Sequence, residues 1–237
     1  MKKLVFDIET VGERFEDYDQ TSQNMLTRWI RETSDTDEKY QIELKRIKDQ
    51  LGLSPLTGFI VAIGIMDAET GKGAVLYQAP KKRTAKTTTV GDITFMPMTE
   101  AEMLEAFWRK AENYTEFISF NGRQFDAPYL MVRSALHKVR PTKDLLSNRY
   151  ISSQRDSAKH IDLQDQLSFY GALVKKGSLH MWCRLFGITS PKAGGVDGHD
   201  VANLFNKKKY LDIARYNVGD LVATRELYWR WSEYMRM

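Results

Sequence analysis

The chain has 237 residues and carries 35 Lys plus Arg against 31 Asp plus Glu, a formal net charge of +4. That length holds one full α/β core with elaborations, and no apolar run approaches the roughly 20 residues of a membrane span. A single cysteine, Cys183, excludes an internal disulfide and a cysteine-based zinc cluster, and acids so close to the start exclude a signal-peptide core, so a soluble, cytoplasmic protein is expected.

The first predicted element is an apolar strand over Lys3 to Thr10. Strand alternation puts Leu4, Phe6 and Ile8 on one face and Val5, Asp7 and Glu9 on the other. Two carboxylates that share a face of a mostly buried strand repel each other, and a divalent cation is the simplest partner for them. Hard oxygen ligands suit Mg²⁺ or Mn²⁺ better than zinc. An isolated D-x-E pair also suits a strand end whose acids stand in water.

From about residue 13 to 54, Met25, Leu26, Trp29 and Ile30, then Tyr40, Leu44, Ile47 and Leu51, recur at helical spacing, so two amphipathic helices are expected as an insertion after the first strand. They would pack on a sheet or wall a substrate cleft. Phe59 to Asp67 reads as a buried strand, and Gly73 to Gln78 should pair with it through Glu69-Thr-Gly-Lys72. The tract from Ala79 to Asp92 is expected to be a mobile loop. Thr99-Glu-Ala-Glu102 opens a helix with a capping-box pattern, its apolar positions Met103, Leu104, Phe107 and Trp108 facing inward.

Thr115 to Asn121 reads as another strand, followed by Gly122 and a helix from about Phe125 to Leu136. Asp126 therefore falls where strand gives way to helix, a usual place for a site in an α/β sheet. It equally suits the first-turn acid of an ordinary helix. Lys159 to Leu163 is expected to be a short last strand, with Asp162 a structural acid at its end, and Cys183 to pack among Trp182, Leu185 and Phe186. Lys192-Ala-Gly-Gly-Val-Asp-Gly198 is too glycine-rich for regular structure and lacks the order of a nucleotide P-loop; Asp200 then caps a helix carrying Val201, Leu204 and Phe205. A long helix from about Tyr210 to Tyr234 places Tyr216, Asp220 and Thr224 on one face. A Tyr and an Asp at that spacing are common on helix surfaces.

The three segments acquire meaning together. Phe6-Asp-Ile-Glu-Thr10, then Phe120-Asn-Gly-Arg-Gln-Phe-Asp-Ala-Pro-Tyr-Leu130, then Tyr216-Asn-Val-Gly-Asp220, in that order over almost the whole chain, resemble the exonuclease motifs of the DEDD superfamily in its tyrosine branch, with the closest likeness to the proofreading domain of family B DNA polymerases. Arg215 stands where the histidine branch places its base, and the four histidines, 137, 160, 180 and 199, show no metal-ligand spacing. Two departures from the motifs are Gln124, where relatives often carry Asn, and Asn217, where many carry a small residue or Cys.

The resemblance implies a single RNase H-like domain over residues 1–237, a mixed central sheet flanked by helices. It implies a 3′-5′ exonuclease with Asp7, Glu9, Asp126, Tyr216 and Asp220 as catalytic residues. Asp7, Glu9, Asp126 and Asp220 would hold a pair of Mg²⁺ or Mn²⁺ ions, while Thr10, Asn121 and Phe125 would line the pocket for the terminal nucleotide. The expected substrate is a nucleic-acid 3′ end, single-stranded DNA favoured over RNA, with repair, replication editing and RNA trimming all open as pathways and a replication or repair protein as an unidentified partner. The chain is too short for an attached polymerase, so a free-standing nuclease or one that borrows partners is expected. A sequence pI near 9.0 suits a polyanion, and Lys81-Lys82-Arg83, Lys175-Lys176 and Lys207-Lys208-Lys209 read as phosphate contacts or solvated surface. The alternatives are a binding module of the same fold without turnover and an endonuclease on that fold.

Overall fold

The computed structural model describes residues 2–79, 86–190 and 200–236. The chain opens with β1 (Lys3–Gly12), passes through an insertion of two helices, α1 (Gln20–Thr33) and α2 (Asp37–Gln50), and returns as β2 (Gly58–Asp67) and β3 (Gly73–Gln78). A short pair follows, β4 (Thr88–Val90) and β5 (Ile93–Met98), then α3 (Glu100–Ala111), β6 (Glu116–Ser119), α4 (Asp126–Leu136) and β7 (Lys159–Asp162). The remainder is helical: α5 (Leu163–Leu167), α6 (Leu179–Phe186), α7 (Asp200–Asn206) and α8 (Tyr210–Tyr234). Among the described residues no helix is long and apolar enough to cross a membrane.

The strands form one sheet in the order β4-β5-β3-β2-β1-β6-β7. β1 is antiparallel to β2, β2 to β3 and β4 to β5, whereas β6 runs parallel to both β1 and β7, and β5 parallel to β3. This is the mixed α/β sheet, with a helical insertion after its first strand, that the sequence predicts. The alternation in β1 decides its two faces. Leu4, Phe6 and Ile8 join Phe107, Trp108 and Leu130 of α3 and α4 in one core, while Val5 and Val11 join Leu221, Leu227 and Tyr228 of α8 in the other. The acids of β1 therefore face the α8 side.

Several local expectations are met by named bonds. The β2-β3 connection closes through Asp67 N–H to Lys72 O at 2.9 Å, with Gly71 at φ +73°. The capping box of α3 is formed by Thr99 and Glu102. Two expectations are corrected. The end of the tract from Ala79 to Asp92 is not loop: Thr88–Val90 pairs antiparallel with β5, and β5, unexpected because Pro97 interrupts its apolar pattern, adds parallel to β3. Cys183 is buried as expected, but Leu185, expected to pack with it, is 68% exposed.

The Lys81-Lys82-Arg83 cluster, Lys192 to Gly198 and His199 lie outside the described residues. Lys175, Lys176 and Lys207 to Lys209 are exposed, as both readings of such runs require. The insertion buries little of itself: only Thr27 and Ile30 of α1 and nothing of α2, and Met25 and Trp29 stand largely in solvent. Its helices wall a cleft more than they cover the sheet.

Candidate metal centre

β1 carries Asp7 and Glu9 on the face that α8 covers, and α8 lays Ile213, Asn217, Leu221, Thr224 and Tyr228 onto the sheet at helical spacing. That seating brings Asp220 down beside the strand. One carboxylate oxygen from each of Asp7, Glu9 and Asp220 lies within 4.8 Å of the others. Residues 213 positions apart in sequence thus share one cluster because a strand and a helix cross there.

Asp126 reaches the same strand from the other side. Pairing of β1 with β6 ends at Val5 opposite Ile118, so the next backbone groups of β1 on that edge have no strand partner. Asp126, the first residue of α4, supplies one: its Oδ1 accepts from Ile8 N at 2.9 Å. The chain is turned into that position at Asn121, which adopts φ +62°, and at Gly122, where a Cβ would lie 2.2 Å from Ser119 Oγ. Asp162 fixes the turn. Its carboxylate accepts from Asn121 N at 2.9 Å, Arg123 N at 3.0 Å and Gln164 N at 2.9 Å, the structural role expected of a strand-end acid.

The electrostatics are those of concentrated, buried negative charge. Burial, then the Asp126, Asp220 and Glu9 carboxylates, hold Asp7 well above the usual carboxylate range. Burial and Asp220 do the same to Glu9, against a hydrogen bond from Asn217. Burial pushes Asp126 up to about 7, although the Ile8 N–H favours its charged form. Among the described residues no Lys or Arg pairs with Asp7 or Glu9. Neighbouring buried carboxylates that repel one another, all with hard oxygen donors, fit a divalent metal ion. Asp7, Glu9 and Asp220 are the residues that would hold it, with Asp126 adjacent.

A cleft of about 910 Å³ opens on this cluster, and Glu9, Thr10, Phe125 and Tyr216 line its inner end. Its outer wall is the insertion, through Phe15, Lys45 and Lys48. Thr10 ties the two walls, donating from Oγ1 to Gly52 O at 2.7 Å, and Tyr129 Oη lies 2.9 Å from the same carbonyl. Asn121 does not line the cleft; it makes the turn before Asp126. The structure therefore brings Glu9, Thr10, Phe125 and Tyr216 to one cleft, with Asp7 and Asp220 clustered on Glu9 behind its lining and Asp126 bonded to the same strand.

Residues 73–237 match a family described as predicted 3′-5′ exonucleases related to the exonuclease domain of PolB. The chain belongs to this family. The matched span holds Asp126, Tyr216 and Asp220, whereas Asp7 and Glu9 precede it and meet Asp220 through the packing of α8 on the sheet. A family B DNA polymerase from the hyperthermophilic archaeon Pyrobaculum calidifontis is similar in structure, with a TM-score of 0.59 and 16% identity. The similarity covers 98% of this chain and 24% of that one, so the chain spans about a quarter of the polymerase's length. At that identity the likeness establishes the fold, an RNase H-like α/β sheet. No curated protein matches the chain.

Sequence reasoning passed over four participants. Asn217 stood out only as a departure from the motif, and Gly64 of β2, Lys45 and Lys48 were given no role. Each acquires a role only when another element is packed against it.

Proposed function

We propose that this chain is a metal-dependent 3′-5′ exonuclease, a single RNase H-like domain that hydrolyses the terminal phosphodiester of single-stranded DNA and releases nucleoside 5′-monophosphates. The observation that carries the reading is the meeting of Asp7, Glu9 and Asp220 within 4.8 Å, with Glu9 of that cluster lining a cleft beside Phe125 and Tyr216. Mg²⁺ or Mn²⁺ is the proposed cation, two ions in the full site, and when bound it supplies the positive charge that offsets the attacking and leaving oxygens at phosphorus.

The protein groups have distinct tasks in this reading. Asp7, Glu9 and Asp220 hold the cation, and Asp126 braces β1 while adding its own charge. Thr10 Oγ1 has its proton on Gly52 O and keeps lone pairs for a terminal 3′-hydroxyl. Phe125 offers a ring face to a base, a contact that tolerates any sequence. Tyr216 offers its hydroxyl to the attacking water, which it orients. Asn121 acts at one remove, through the turn that seats Asp126.

The test is degradation of 5′-labelled and 3′-labelled single- and double-stranded DNA and RNA with Mg²⁺ or Mn²⁺, beside Asp220→Ala. A descending ladder from the 5′ label with early mononucleotide from the 3′ label supports the proposal. Mid-strand cuts would identify an endonuclease, and tight binding without cleavage a binding module.

A further inference from the structure

Asn217 lies on α8 one residue after Tyr216 and three before Asp220, and its side chain is fully buried. Its Nδ2 donates to Asp7 Oδ2 at 2.7 Å, and the same amide lies close enough to Glu9 to favour that carboxyl's charged form. The carbonyl end, Oδ1, is buried with no hydrogen-bond partner. It is turned toward Gly64, the β2 residue directly opposite Asp7 in the β1-β2 ladder. A Cβ at Gly64 would stand 1.8 Å from Asn217 Oδ1 and 2.8 Å from Leu221 Cδ1. Glycine at this one position leaves a notch in the sheet, and the amide fills it.

The orientation of the amide follows from its neighbours. A carboxylate only accepts, so the NH₂ must face Asp7 and Glu9 and the carbonyl must face the notch. Leaving a buried carbonyl unpaired is costly. A leucine or valine would fill the same space without that cost, so packing alone does not account for an asparagine here.

We infer that Asn217 is a positioning residue, seated in the Gly64 notch, whose amide holds the Asp7 and Glu9 carboxylates in the arrangement that receives the divalent cation. The inference rests on the metal-dependent reading above. The chemistry of a neutral donor fits the task. A Lys in this place would neutralise the acids and displace the cation, whereas an apolar side chain would leave Asp7 and Glu9 to repel each other and turn apart. The amide occupies part of each carboxylate's hydrogen-bonding capacity and leaves the remaining lone pairs for a metal, the usual relation between ligands and the groups behind them.

Asn217→Leu preserves volume and removes the donor. The full chain should be titrated with Mn²⁺ by calorimetry in the absence of nucleic acid, beside its melting temperature in chelator and its kcat and KM on an oligonucleotide. The expected result is an Mn²⁺ Kd weakened about tenfold or more, kcat lowered and partly restored by excess Mn²⁺, KM for the oligonucleotide unchanged, and no loss of melting temperature. Gly64→Ala should weaken Mn²⁺ binding likewise, and the double variant should be no worse than the weaker of the two. Wild-type Mn²⁺ affinity in a folded Asn217→Leu overturns the assignment and leaves the metal site standing. A wild-type chain that binds no Mn²⁺ overturns both. If Asn217→Leu does not fold, Asn217→Ala, which removes atoms and adds none, takes its place with the same deciding outcome.

Discussion

Asp7 and Tyr216 should fail differently when replaced. Asp7→Asn keeps shape and deletes charge at the centre of the cluster, so single-turnover hydrolysis should fall by about a thousandfold, as when charge stabilisation of the reacting centre is removed. Tyr216→Phe loses one orienting hydroxyl, and a drop of about tenfold to a hundredfold is expected, with Mn²⁺ affinity intact. Equal losses in the two variants would mean that Tyr216 helps to hold the cation. The D-x-E pair was legible because strand alternation leaves no other way to place Asp7 and Glu9 when Leu4, Phe6 and Ile8 are buried. Asn217 was visible but mute. Its role needs Gly64, a strand residue 153 positions earlier that meets it only through tertiary packing.

Among the elements, α8 was readable end to end from its periodicity, since each buried residue meets one sheet face. The β6-α4 turn was readable in position but not in mechanism, because the acid that bonds it, Asp162, arrives from β7. Asp162→Ala should leave the N–H groups of Asn121, Arg123 and Gln164 without their acceptor and cost about 3 kcal/mol of stability, measured by urea denaturation. Activity should fall as well, as the turn that seats Asp126 loosens; a stable, fully active variant would show that Asp126 is placed by Ile8 alone. β5 escaped reading because Pro97 argues against a strand, yet β4 pairs only with Ile93 to Phe95, so β5 is itself the sheet edge at Pro97, where proline is tolerated. The insertion's two helices were legible as helices, but not as a cleft wall, since Lys45 and Lys48 show no periodicity that separates them from solvated charge. Replacing both with Glu should raise KM for single-stranded DNA about tenfold and flatten its salt dependence, leaving kcat unchanged.

At the scale of the whole molecule, the sheet lies between two apolar cores and holds its acids where those cores meet the cleft, so folding without a cation must bury repelling charge. The sign of the resulting pH dependence can be worked out from Asp126. Its folded pKa of about 7 lies above the ordinary 3.8, so the folded chain binds more protons than the unfolded one between those values. Stability of the metal-free protein is therefore highest below about 4 for this group and declines as pH rises toward 7, with Asp7 and Glu9 shifted in the same direction. His160 opposes this trend. Buried and held near 4 instead of 6.5, it must stay neutral in the fold, so its contribution is present above 6.5 and lost as pH falls through 4. The two trends separate when melting is compared with and without metal, because His160 lies outside the carboxylate cluster and contributes equally to both curves. A divalent cation competes with protons for the acids, so the gain in melting temperature from Mg²⁺ over chelator should be near zero at pH 5 and grow through pH 7. An increment on the order of a few kcal/mol, roughly 5 to 10 °C for a domain of this size, is expected by pH 8. Asp126→Asn should shrink that growth, and a Mg²⁺ gain that stays flat from pH 5 to 8 would show that the clustered acids neither share their protons nor exchange them for a cation.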